Sequence, residues 1–169
     1  MIKTLVNLAE KPIATFVFAH GAGAGQNSEF MQLMAQGIAY QNINVLRFNF
    51  AYMQLAEELG KRRPPDRLDK LLTHFKILLN EIDNSLPIFI GGKSMGGRIA
   101  SMLLEESTAK GCICMGYPFH PPDKPEKLRT EHFLCISKPV LILQGERYIF
   151  GKREEIGNFN LSQQVQVSY

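Results

Sequence analysis

Cysteine is scarce in this sequence: Cys112, Cys114 and Cys135 are the only three in a chain of 169 residues. An odd count without C-x-x-C spacing supplies neither a disulfide framework nor a zinc site, so a reduced, cytoplasmic protein is expected. Long apolar runs are missing too. None approaches the roughly 18 residues that crossing a bilayer requires, which excludes a membrane span. MIKTLVNLAEKP, at the start, has only a few apolar residues before Glu10, Lys11 and Pro12, and reads as neither signal peptide nor anchor. Net charge is small, +3, and much of the basic character is concentrated in Lys61-Arg62-Arg63. The broad basic face of a nucleic-acid binder is therefore absent. Repeats, low-complexity tracts and linkers are absent as well. No His/Cys/Asp cluster has metal-ligand spacing, so no metal is expected.

What is present is an ordinary globular composition, 45% hydrophobic and 21% charged. At this length one domain, residues 1–169, is the economical reading, burying roughly two thirds of the surface of the unfolded chain. Short apolar runs bounded by glycine and proline recur. ATFVFA (14–19), NVLRFNF (44–50), PIFIG (87–91), GCICMG (111–116), VLIL (140–143) and QVQVSY (164–169) read as strands, most of them buried on both faces. Helical spacing lies between them. Asn27 and Ser28 cap a helix carrying Met31, Met34, Ala35 and Ile38 on one face. Pro64-Pro65-Asp66 opens a stronger one through Leu68, Leu71, Leu72, Phe75, Leu78, Leu79 and Ile82. A further helix is predicted from Met95 to about Glu106. This alternation predicts an α/β fold, a mostly parallel sheet with helices on both faces. Cys112 and Cys114 alternate on one strand as small buried hydrophobes.

The most informative stretch is IGGKSMGGRIA, residues 90–100, in which Gly92-Lys93-Ser94-Met95-Gly96 forms a G-x-S-x-G pattern between a strand and a helix. In that context the pattern is a sharp turn that lifts the serine to the carboxyl end of the sheet, with flanking glycines permitting close chain approach. Ser94 is thereby a candidate nucleophile. The Met95 amide, at the helix N-terminus, is one candidate oxyanion donor, and Ala22 in the loop His20-Gly21-Ala22-Gly23-Ala24-Gly25 is the other. That loop has a rival reading as a phosphate-binding turn. A dinucleotide site, however, wants an acid at the end of the next strand, which instead ends Phe48-Asn49-Phe50.

Taken together, FAHGAGAG, RFNFAY…GKRRPPD, GGKSMGGRIAS, GYPFHPPDKPEKLRTEH and LILQGER resemble the small α/β-hydrolase-fold family that is similar to dienelactone hydrolases. Testis-expressed protein 30 and the catalytic-looking domain of non-specific lethal complex subunit 3 belong to that group. The resemblance runs from about Phe18 to Tyr169. It implies an eight-stranded type of sheet, lacking the first antiparallel strands or keeping a remnant of them, with Ser94 as elbow nucleophile and no cofactor. It also implies an acid after VLILQG, where the family would read G-E-R-D and this chain reads Gly145-Glu146-Arg147-Tyr148. A neutral phenol does not stabilise an imidazolium as a carboxylate does, and Glu146 substitutes only if the loop turns differently. The family histidine follows the last strand. The sequence reaches Tyr169 without it, so the resemblance implies a domain incomplete at its C-terminus, its final helix missing.

Four histidines remain. His20 and His120 are pocket-lining candidates with Gly21, Glu146 and Tyr148. His74 is expected on the surface, and His132 in a short helix before VLIL. Lys61-Arg62-Arg63 reads either as a guide for an anionic substrate or as a solvated lead-in to the next helix. Two functions stay open: an esterase-like serine hydrolase acting on a small ester-like substrate with an incomplete triad, or an inactive hydrolase fold used for binding or complex formation, including as a truncated product. An uncovered last strand implies self-association or a protein partner.

Overall fold

The computed structural model describes residues 2–169. Seven strands, β1 (Thr4–Asn7), β2 (Ala14–Ala19), β3 (Ile43–Phe48), β4 (Ile88–Lys93), β5 (Cys112–Met115), β6 (Val140–Leu143) and β7 (Val165–Ser168), form one sheet in the order β1-β3-β2-β4-β5-β6-β7. β1 is antiparallel to β3, and every other pairing is parallel. The sheet thus has seven strands among the described residues rather than eight, with β1 as its antiparallel remnant. Chain order reverses at β2, so the loops leaving β2 and β4 lie side by side at their carboxyl ends, where open parallel sheets place their sites.

Alternation along each strand divides the core in two. Phe16, Phe18 and Val45 face α1 (Glu29–Tyr40), packing on Met31 and Ala35. Val17, Ala19, Ile88, Ile90, Cys112, Cys114 and Ile142 face the other side, beneath α3 (Leu68–Glu81) and α4 (Met95–Leu103). Helices on both faces are what a parallel sheet of near-continuous apolar strands requires. On the α1 side cover thins toward β6, where Leu143 is 40% exposed. β7 pairs only with β6 among the described residues. No helix is long and apolar enough to cross a membrane among the described residues.

Two local expectations need correcting. β3 stops at Phe48 instead of Phe50, because Phe50 turns out of the sheet as N-cap of a helix not foreseen, α2 (Ala51–Leu59). Its backbone N–H is taken by His20 Nε2 at 3.1 Å, which no ladder partner could then use. His74 is not a surface residue. It is half-buried, stacked at 6.1 Å on Phe48, and its Nε2–H donates to the Asn49 carbonyl at 3.1 Å. A last helical turn, α5 (Arg153–Ile156), follows the β6 loop.

Candidate active site

Ser94 sits between the last residue of β4 and the first of α4 with φ 49° and ψ −114°, a region that non-glycine residues rarely occupy. Holding a serine there costs about 1–3 kcal/mol and persists only where the surroundings over-determine it. The surroundings here are backbone. Ser94 N–H donates to the Met115 carbonyl at 3.0 Å, and its own carbonyl accepts from Arg98 N–H at 3.1 Å. A Cβ on Gly96 would lie 2.5 Å from both the Ala19 and His20 carbonyl oxygens, and one on Gly92 would lie 2.8 Å from the Gly97 nitrogen. The elbow therefore crosses the end of β2 at a separation only glycine permits.

Ala22 belongs to the neighbouring loop, which is held in place by Arg47 of β3, by Asn49 and Phe50 just after it, by Tyr52 of α2 and by a bond of its own. Asn49 Oδ1 accepts from Gln26 N–H at 2.8 Å, and Arg47 Nη1 donates to the Gln26 carbonyl at 2.6 Å. Tyr52 Oη–H donates to the Ala22 carbonyl at 2.9 Å. His20 Nδ1–H donates to the Gly21 carbonyl at 2.6 Å while Nε2 accepts from Phe50 N–H, which fixes the neutral tautomer. Burial lowers its pKa from 6.5 to about 4, outweighing the Gly21 bond, with His74 lowering it further. His20 is wholly inaccessible, so it braces the loop from inside rather than lining an open pocket. With its carbonyl pinned, Ala22 keeps an amide that no acceptor among the described residues takes. Met95, first residue of α4, has no carbonyl within its own helix to bond. Met95 thus carries an uncommitted amide at the elbow itself, and the loop of Ala22 approaches the elbow where Gly21 lies against Lys93.

The hydroxyl partner of Ser94 is Tyr148, Oγ to Oη 2.8 Å. A phenol is the better donor and an alkyl hydroxyl the better acceptor, so Tyr148 caps a lone pair of Oγ. Its loop is clamped by buried Gln144, whose Nε2 donates to the Tyr117 and Gly151 carbonyls at 3.1 and 2.9 Å. The Tyr148 ring lies beside Gly116, 3.6 Å from where a side chain there would begin. Glu146 points elsewhere: it is exposed and pairs with Arg153 at 2.9 Å. His120 is buried, with Nδ1–H donating to the Pro121 carbonyl at 2.8 Å and Nε2 3.3 Å from Glu155. His132 Nε2–H donates to Ser101 Oγ at 2.9 Å, since that hydroxyl itself donates to the Arg98 carbonyl. Burial, with Arg98 second, lowers His132 from 6.5 to about 4. Each of the four histidines is thus bonded to a group other than Ser94. Among the described residues no group of three or more His, Cys, Asp or Glu is placed to hold a metal.

The structure brings together Ser94, Met95 and Tyr148, sets Gly21 of the Ala22 loop against the neighbouring Lys93, and holds His20, His120 and Glu146 apart in separate bonds. Sequence reasoning missed Arg47, Asn49, Tyr52 and Gln144. A charged residue inside the apolar run NVLRFNF was the available signal for Arg47.

A strand, a strained serine and a helix in this topology have known counterparts, and the Alpha/beta hydrolase domain family matches residues 12–169. The chain belongs to the α/β hydrolase family. A serine hydrolase homologue from Coxiella burnetii superposes with TM-score 0.76 at 17% identity, over 97% of this chain and 78% of that one. An α/β serine hydrolase without a lid from Xanthomonas campestris gives 0.74 at 16%, over 98% and 76%. A dienelactone hydrolase from Anabaena variabilis gives 0.70 at 18%, over 98% and 76%. At these identities the likeness is one of fold. Within the hydrolase fold, Ser94 stands at the strand-to-helix turn.

Proposed function

We propose that this α/β hydrolase family member is a slow esterase-type serine hydrolase in which Ser94 is the acyl acceptor. On the motifs quoted above, we place it in the branch similar to dienelactone hydrolases that includes testis-expressed protein 30 and non-specific lethal complex subunit 3. The observation that carries the reading is the strained φ of 49° at Ser94, followed directly by the uncommitted amide of Met95; Ala22 is assigned as the second oxyanion donor. Strain at a polar residue with no structural return is a mark of a functional site. In the reaction, Ser94 Oγ bonds to the acyl carbon, and the two amides hold the oxygen that becomes negative. The C–O bond to the alcohol then breaks. The Oγ proton leaves to water, the departing alkoxide takes one from water, and a second water hydrolyses the acyl-serine to the acid. No histidine bonds Ser94, so acceleration rests on oxyanion stabilisation and binding, of the order of 10³ to 10⁴ over water.

Reaction with a fluorophosphonate probe, read by intact mass, tests this. One adduct per chain is expected, and none on Ser94→Ala. Folded protein that stays unmodified would remove the enzymatic reading. A second reading, a hydrolase fold used as a binding module, is favoured by the Tyr148 cap on Ser94. The two differ on Tyr148→Phe. Freeing Oγ from a bond worth about 0.5–1.5 kcal/mol should speed modification roughly 2- to 10-fold. Equal inertness in both proteins supports the binding module.

A further inference from the structure

Beside the Ala22 loop lies a cleft of about 580 Å³. Ala22 and Gly23 form one wall, Met53 and Ala56 of α2 give it an apolar floor, and Lys61, Arg62 and Arg63 edge it. The basic edge is pre-formed. Gly60, with φ 61°, ends α2 in a left-handed cap, and Lys61 N–H returns to the Ala56 carbonyl at 3.1 Å, so the run leaves the helix in a fixed direction. Pro64 and Pro65 stiffen its far end. None of the three cations is in an ion pair among the described residues. Glu57 is the one carboxylate on the lining, and its Oε1 is turned toward Gly25, 2.8 Å from where a side chain there would begin. For a chain of net charge +3, these cations form a concentrated field at one rim.

We propose that this cleft is the acyl-group specificity site, and that it selects esters carrying an anionic group, a carboxylate or a phosphate, at the far end of a short apolar body. The inference rests on Ser94 being the acyl acceptor with Ala22 as an oxyanion donor, because Ala22, whose amide no acceptor among the described residues takes, also forms the cleft wall. An acyl group held by that amide has its tail directed along Met53 and Ala56 toward the guanidinium groups, which bind planar oxyanions through paired donors.

Binding and chemistry can be tested apart. Calorimetry on Ser94→Ala protein would compare monomethyl glutarate, monomethyl phosphate and the uncharged dimethyl glutarate. The two charged ligands are expected to bind about 10-fold more tightly than the uncharged one at low salt, an advantage falling to within about 2-fold in Arg62→Gln/Arg63→Gln protein and with rising ionic strength. Which of the two anions binds better separates carboxylate from phosphate. With Ser94 restored, a carboxylate-tailed fluorophosphonate should react faster than a neutral one of equal length, and the ratio should approach one in the double variant. Equal affinity for charged and uncharged esters would overturn the proposal. Charge-selective binding without any modification of Ser94 would leave the anion site standing and remove the esterase reading instead.

Discussion

Gly96→Ala is expected to lower the unfolding free energy by about 3 kcal/mol and to abolish modification of Ser94. The added Cβ would fall 2.5 Å from the carbonyl oxygens of Ala19 and His20, atoms of β2 and of the loop that follows it. Neither can give way easily. Ala19 pairs with β3 on one side and β4 on the other, and the chain at His20 is pinned through Gly21 and Phe50. Overpacking against an immobile neighbour costs typically 1–3 kcal/mol, and two backbone contacts at one site put the change at the upper end. Relief requires α4 to lift from β2, which moves the Met95 amide away from Ser94 and from the Ala22 loop. Gly37→Ala is the control. It lies inside α1 with nothing within 4 Å of the new methyl, so the same substitution should stabilise by about 0.5–1 kcal/mol. Urea midpoints of the two variants moving in opposite directions would support the account; equal shifts would remove it.

The same contrast explains what could be read from the sequence. Strands β2, β4, β5 and β6 were legible because a parallel strand covered on both faces is an unbroken apolar run. The turn at Ser94 was legible because its glycines answer a steric demand wherever it occurs. β1 was not, since Thr4–Asn7 is an edge segment whose pairing with β3 is a tertiary event with little local signature. α2 was missed because Phe50 caps it without a side-chain hydrogen bond, and what sets its start is the distant ring of His20. The family resemblance drew attention to Tyr148 as a lost acid. Its contact with Ser94 depends on the path of the loop after β6, and that path is set by Gln144 and by the bare face of Gly116, which no linear spacing encodes. The histidines show the same limit: their positions say little of their bonds, and every bond they make leads to a group other than Ser94.

Those bonds make the fold sensitive to acid in a particular window. His20 and His132 are neutral in the native state, each with its pKa lowered from 6.5 to about 4, chiefly by burial. Between those values the unfolded chain binds protons that the native one refuses, so stability rises with pH there. The contribution is therefore whole above the unfolded value of 6.5 and lost as pH falls toward 4. For His20 the loss is about 3 kcal/mol by the linkage relation, and for the more accessible His132 about 2 kcal/mol. His74, also lowered by burial, adds in the same direction. The depressed carboxylates Glu105 and Glu155 act separately, because their stabilisation is lost only below the ordinary carboxylate range. Urea midpoints at about pH 7.5, 6 and 4.5 should fall steeply across the interval for the native sequence. His132→Gln should be less stable near pH 7.5 but lose less on acidification, and His20→Gln should show the larger flattening. Parallel curves for all three proteins would mean that the rings are protonated in the folded state and that the neutral tautomer assigned to His20 is wrong. If the curves converge at low pH, the brace on the Ala22 loop is a neutral imidazole, and the loop should loosen on protonation before the sheet does.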